Sequence, residues 1–287
     1  MRGIDQSLMF NKLAVALAFS PRYEAILSET KRFQELFKSQ LVIIHIGNKT
    51  NEKEQLLHDK LDEIGFDRQH VKVVWKTGDP SRKILSICQK EEVDLLIAGA
   101  MKRENIFRYY IGSVARTILR KAKCSVLVLI NPSKNPQPFE KIVINGCENE
   151  SLYAALTKGV SLGKIEHAAQ VHILREVRML GLAMSVAGEE CNENEYGKTR
   201  RKVVKEELEN INKLLKNLDT EDLSINVKVI SGKPEYEIAK FTRKVKSDLL
   251  VLSAPDHKLN LIDRLFPHDM EYLLADLPSN LLVVHPT

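Results

Sequence analysis

The chain has 287 residues, 44% of them hydrophobic and 28% charged, which is an ordinary balance for about two ordered globular domains. Its 43 basic residues nearly balance 38 acidic ones, leaving a formal charge of +5 that is spread through both halves, so a non-specific nucleic-acid binder is excluded as an expectation. No apolar run approaches the roughly 18 residues needed to cross a bilayer, and Met1-Arg2-Gly3-Ile4-Asp5-Gln6 lacks the apolar core of a leader, which predicts a cytoplasmic protein with no membrane association.

In chain order, residues 13–19 are a short apolar run followed by Ser20-Pro21, and residues 41–46 are another. Both read as strands buried on two faces. Between them Ile26, Phe33, Leu36 and Phe37 recur at helical spacing. A helix is predicted near 52–64, a strand over 71–75, a helix over 80–91 and a strand over 95–98. After Gly112-Ser113, the residues Val114, Ala115, Ile118, Leu119 and Ala122 share one helical face, with Arg120, Lys121 and Lys123 at the far end, where cations suit the helix dipole. Ser113 is the predicted N-cap. Residues 125–130 close the first lobe as a fifth strand. Pro132, Pro136 and Pro138 then interrupt both helix and ladder, which marks residues 134–138 as a linker between a first domain, 1–133, and a second, 139–287.

The second half repeats the first. Gly78-Asp79-Pro80 and Asp94-Leu95-Leu96 return 154 residues later as Gly232-Lys233-Pro234 and Asp248-Leu249-Leu250, in a register that runs unbroken to Pro132 and Pro286. A repeat of this length means two copies of one domain. Strands are predicted over 141–145, 169–175, 225–231, 249–252 and 280–284, with helices over 151–164, 199–217, 235–246 and 269–275. Strands alternating with helices imply right-handed crossovers: an α/β fold of two tandem doubly wound lobes, each a five-stranded parallel sheet of order 3-2-1-4-5 with helices on both faces. The last strand of each lobe, 126–130 and 281–284, is apolar on both faces, and pairing these two edges would cover them. The one large addition in the second copy is 177–197, expected to hold a short helix packed on its own lobe, with a lid or partner surface, or an apolar ligand beneath it, as lesser alternatives.

In a parallel sheet, ligands sit beyond the carboxyl ends of the strands. There Gly99-Ala100-Met101-Lys102 leaves a strand, nine residues intervene, and Gly112-Ser113 opens a helix. Glycine lets main-chain amides approach an anion and the helix start presents more of them, so this is a phosphate cradle in outline.

These residues, the Gly78-Asp79-Pro80 turn and the Asp94-Leu95-Leu96 strand resemble the universal stress protein family in its tandem two-domain form. The resemblance implies a regulatory stress-response protein, a homodimer or partner-binding assembly, and a site for ATP or AMP in the first lobe. The nucleotide-binding members carry G-x2-G-x9-G-[S/T]. Here Gly99, Gly112 and Ser113 keep their places, Lys102 stands for the middle glycine, Val114 follows in the first helical turn, and Ile46 would offer backbone to the base. Lys102 either obstructs a phosphate or pairs with it as a point charge. The carboxylate expected at the end of the first strand, near adenine and metal, is Ala18, so no metal is expected. In the second lobe the aligned positions read Ser253, Asp256, Phe266 and Pro267, and the helix that follows carries Asp269 and Glu271, which predicts no nucleotide there.

Other constellations carry less. His45-Ile46-Gly47-Asn48 approaches the HIGH signature of class I tRNA synthetases without its last histidine and reads as a strand end. His167 and His172 straddle a strand and do not make a metal pair. The basic run 198–202 opens a helix with compensating glutamates. Cys88, Cys124, Cys147 and Cys191 have no paired spacing and read as free thiols, without a disulfide framework or zinc site. No catalytic nucleophile is indicated, so slow ATP hydrolysis is the most that an enzymatic reading allows, and a scaffold without nucleotide is the main alternative.

Overall fold

Leu13, Ala14 and Val15, then Leu95, Leu96 and Ile97, lie almost wholly out of water, because each belongs to a strand covered by helices on both faces. In the computed structural model, which describes residues 9–102, 109–146, 151–176, 193–254 and 270–286, this pattern recurs through two compact units. One is Met1–Pro138 with Leu274–Thr287, and the other is Phe139–Leu273.

The first unit runs β1 (Lys12–Ala16), α1 (Tyr23–Phe37), β2 (Gln40–Ile46), α2 (Asn51–Ile64), β3 (Val71–Lys76), α3 (Pro80–Lys90), β4 (Leu95–Gly99), the short β5 (Met101–Lys102) and β6 (Tyr109–Tyr110), α4 (Ser113–Lys121) and β7 (Ser125–Leu129). Its main sheet has the order β3-β2-β1-β4-β7 with every neighbouring pair parallel, the 3-2-1-4-5 arrangement expected from the strand and helix alternation. The turn into α3 shows why the repeat keeps its glycine. Gly78 has φ +114°, a conformation that residues with a Cβ rarely adopt. Asp79 then caps the helix by accepting from the Arg82 amide at 2.8 Å, and Pro80 opens it.

The second unit runs β8 (Lys141–Asn145), α5 (Leu152–Ile165), β9 (Gln170–Glu176), α6 (Glu193–Leu215), β10 (Ile225–Ile230), α7 (Pro234–Val245) and β11 (Leu249–Ser253); the chain then continues through α8 (Met270–Ala275) into β12 (Asn280–Val284), which belongs to the first unit. The second unit's strands order as β10-β9-β8-β11, again parallel, and Gly232 repeats the positive φ of Gly78 at +131°. The same anchor serves both copies: Asp94 Oδ2 accepts from the amides of Asn11 and Lys12, and Asp248 Oδ2 from those of Glu140 and Lys141. Helix α6 starts six residues earlier than residue 199, where the sequence placed it. The rest of the predicted 177–197 segment lies outside the described residues.

The carboxyl-terminal strand departs from the simple repeat. β12 pairs antiparallel with β7, Leu281 opposite Val128, Leu282 opposite Leu127 and Val283 opposite Val126, so that 274–287 packs with the first unit. Every residue of β7 is buried, and an unpaired edge of that composition would expose a row of amides and carbonyls beside apolar side chains. Asn280 reinforces the pairing by accepting the Ile130 amide at 2.9 Å.

Candidate functional site

Strand order reverses between β1 and β4, the position at which doubly wound sheets take ligands beyond the strands' carboxyl ends, and the chain passes it on leaving β4. At Gly99 a Cβ would fall 2.8 Å from Ile26 Cδ1, so a larger residue here would push the Ile26 side chain of α1 aside. Ala100 is buried and donates its amide to Leu129 O at 2.8 Å. β5 then pairs antiparallel with β6, Met101 opposite Tyr110 and Lys102 opposite Tyr109, which ties together the two ends of the nine-residue spacer. Ile111, fully buried, donates to Leu274 O at 3.0 Å. Gly112 is thereby delivered against Met101, where an added Cβ would come 2.7 Å from the Met101 sulfur.

Gly112, not Ser113, is the N-cap of α4. It is extended, φ −69° and ψ 169°, its carbonyl takes the first helical bond from Arg116 N at 2.9 Å, and no side chain caps the helix. Ser113 is already in helical conformation and exposed, so its hydroxyl is not placed to turn back onto the first-turn amides as an N-cap would. Helices α2 and α3 differ, since Thr50 and Asp79 accept from the amides of Lys53 and Arg82. The first turn of α4 carries no carboxylate, and Ser113 and Val114 are both exposed. Its amides therefore present the positive end of the helix dipole with no side-chain acceptor of their own, which is the electrostatic condition for receiving an anion.

Gly99, the Lys102 backbone, Gly112, Ser113 and Val114 are thus brought together. The Lys102 side chain lies outside the described residues. Ile46 stands apart: it ends β2, half-buried and opposite Lys76, with β1 between it and β4.

Two features were not legible in the sequence. Arg22, at the start of α1, donates to Ile130 O at 3.1 Å and also to Ala100 O, carbonyls 108 and 78 residues further on, so one guanidinium ties the ends of β4 and β7 beside the cradle. The second is a ring cluster at the carboxyl ends of β1, β2 and β3. Phe19 lies 4.9 Å from His45 and 5.9 Å from Trp75, and His45 lies 4.8 Å from Trp75, centroid to centroid. His45 donates from Nδ1 to Leu17 O at 2.9 Å, since a carbonyl can only accept. Its Nε2 is then left an acceptor, buried over Gly47 with no partner among the described residues. Ala18 is exposed and contributes no oxygen ligand. Among the described residues no three His, Cys, Asp or Glu side chains converge as a metal site.

The second unit treats the same strand ends differently. Arg175, on β9 and 4% exposed at its side chain, donates from Nε to Glu207 of α6 at 2.5 Å and from Nη1 to Gly146 O at 2.7 Å. A hydrogen-bonded ion pair, buried at its arginine and half-buried at its glutamate, therefore lies across the carboxyl ends of β8 and β9. Ser253 ends β11 as aligned, whereas Asp256, Phe266 and Pro267 lie outside the described residues.

Residues 46–129, which hold all of the cradle, match the model of the universal stress protein family. A universal stress protein of Methanocaldococcus jannaschii is 23% identical over 159 residues, which is 43% of this chain and 96% of that relative. Among solved structures, a universal stress protein from Archaeoglobus fulgidus superposes with a TM-score of 0.67 at 13% identity, covering 96% of this chain and 98% of that one. A Pseudomonas aeruginosa protein of unknown function superposes equally well, TM-score 0.67 at 17% identity, over 96% and 93% of the two chains. Residues 46–129 are thus similar to the universal stress protein family, and the doubly wound fold is shared with the two solved structures. Among the described residues, no helix is long and apolar enough to cross a membrane.

Proposed function

We propose that the first unit binds the phosphates of an adenine nucleotide, ATP or AMP, and that the protein is a regulatory member of its family rather than a metabolic enzyme. The observation that carries this reading is the start of α4: an N-cap glycine with no side-chain cap and no first-turn carboxylate, set by the β5–β6 ribbon against the end of β4. Gly99 and Gly112 keep the backbone accessible, the amides of Ser113 and Val114 supply donors, Lys102 supplies a cation from the same ribbon, and Ile46 lines the base side across β1. The second lobe, its strand ends crossed by Arg175 and Glu207, acts as a partner that does not take nucleotide. A cytoplasmic homodimer is the assembly this reading expects.

Calorimetric titration of the whole chain with ATP and with AMP tests the proposal, with Gly112→Asp as the control. Gly112 has an ordinary φ, so aspartate is tolerated by the backbone and caps the helix while repelling phosphate. Saturable heat in the wild type that disappears in the variant supports the proposal, and no saturable heat in the wild type removes it. The scaffold reading is favoured by one observation, the Met101 thioether packed on Gly112, and it predicts that second result. Hydrolysis is held apart from binding by phosphate release: a rate equal in the wild type and in a Gly112→Asp, Ser113→Ala double variant excludes an ATPase.

A further inference from the structure

Cys88 and Cys124 share no short-spaced motif, yet the fold sets them side by side. Cys88 faces inward from α3, Cys124 immediately precedes β7, and both are free thiols, 5% and 9% exposed. The two sulfurs are in hydrogen-bonding contact with each other. Together they line a cleft of about 470 Å³ whose other walls include Arg82, Lys121, Lys123 and Glu92. Buried cysteines usually serve as small apolar packing groups, inert because nothing stabilises a thiolate. This pair differs in having a second sulfur within contact, at a cleft that opens both to solvent.

We propose that Cys88 and Cys124 form a dithiol site for small peroxides, hydrogen peroxide above all, and close to an intramolecular disulfide that staples α3 to the entry of β7. The hydrogen bond divides the roles. Donation by the Cys88 thiol, the main influence on both groups, pulls Cys124 below the ordinary thiol range against the opposing effects of burial and of the Asp94 carboxylate, while Cys88 is pushed up. The Cys124 thiolate attacks one peroxide oxygen; the O–O bond breaks, the sulfur is oxidised to a sulfenic acid, and hydroxide leaves to be protonated as water. The Cys88 sulfur then attacks the sulfenic sulfur, the S–S bond forms, and the departing hydroxide takes the Cys88 proton as a second water. Two thiols and one peroxide give one disulfide and two waters, and a dithiol reductant reverses the change. The closed loop contains Gly99 and Gly112, so oxidation ties together the two ends of the segment that carries the cradle.

The test uses the full-length native chain, brief exposure to hydrogen peroxide, alkylation of remaining thiols, and non-reducing tryptic mapping. The expected product is a cross-linked pair, the peptide 84–90 joined to the peptide 124–134, in a protein lighter by two hydrogens, with the link lost on reduction. Recovery of both peptides as alkylated thiols, or as sulfinic or sulfonic acids without the link, overturns the proposal, as does a link to Cys147 or Cys191 in its place. Cys88→Ser separates the steps: Cys124 should then accumulate as a sulfenic acid captured by dimedone, whereas labelling of Cys88 in Cys124→Ser to the same extent overturns the assigned order. The mapping of the wild type needs neither variant to fold. It is also independent of nucleotide, so its outcome and that of the titration are read separately.

Discussion

Asp94 joins the start of β4 to the start of β1, and its removal has a calculable cost. Its Oδ2 accepts from the amides of Asn11 at 2.8 Å and Lys12 at 2.9 Å. A hydrogen bond to a charged acceptor contributes about 1.5–3 kcal/mol. The Asn11 amide is exposed and recovers much of its loss from water, whereas the Lys12 amide is half-buried and does not. Asp94→Ala should therefore cost about 3 kcal/mol, and Asp94→Asn, which keeps a neutral oxygen acceptor, about 1 kcal/mol. The chain has one tryptophan, Trp75, which lies in the first unit in contact with Phe19 and His45, so its fluorescence reports this unit's unfolding. With a urea slope of about 2 kcal/mol per molar, the midpoint should fall by about 1.5 M for alanine and about 0.5 M for asparagine. An alanine shift below about 0.3 M, or equal shifts for the two variants, would refute the assignment of Asp94 as a charged double acceptor.

In the second unit, burial, with Lys141 and Lys228 adding to it, holds the His172 imidazole below the usual histidine range. The unfolded chain then binds more protons between the folded value and about 6.5, so stability present above that pH declines as pH falls toward the folded value; His172→Phe should flatten the change in melting temperature between about pH 8 and about pH 5. Gly78→Ala forces a side chain into φ +114° and should lower stability by about 1–3 kcal/mol in the same fluorescence assay. Glu207→Ala leaves Arg175 charged and buried and should cost about 3 kcal/mol by far-ultraviolet dichroism, with Glu207→Gln milder because an acceptor remains; equal losses would show that the charge contributes nothing.

The elements that repeat locally were legible in the residues. Apolar runs such as 95–98 became buried strands, and Gly78-Asp79-Pro80 encodes its own turn, cap and helix start within three positions. The apolar faces of β7 and β12 even foretold that these two edges pair. The N-cap of α4 was missed by one residue because Gly112 and Ser113 are both acceptable there by propensity, and only the backbone trajectory out of β6 chooses between them.

By itself the sequence determined an α/β fold of two repeated lobes and nominated a candidate anion cradle in the first, since periodicity, turn chemistry and repeat register act over a few residues or along an unbroken alignment. Only the tertiary structure decided that Arg22 reaches Ala100 and Ile130, that Arg175 and Glu207 cross the second unit's strand ends, and that Cys88 meets Cys124. Each of these contacts joins residues far apart in the chain. Their proximity follows from which strands become neighbours and how closely each helix settles on the sheet, and no local pattern of residues records that.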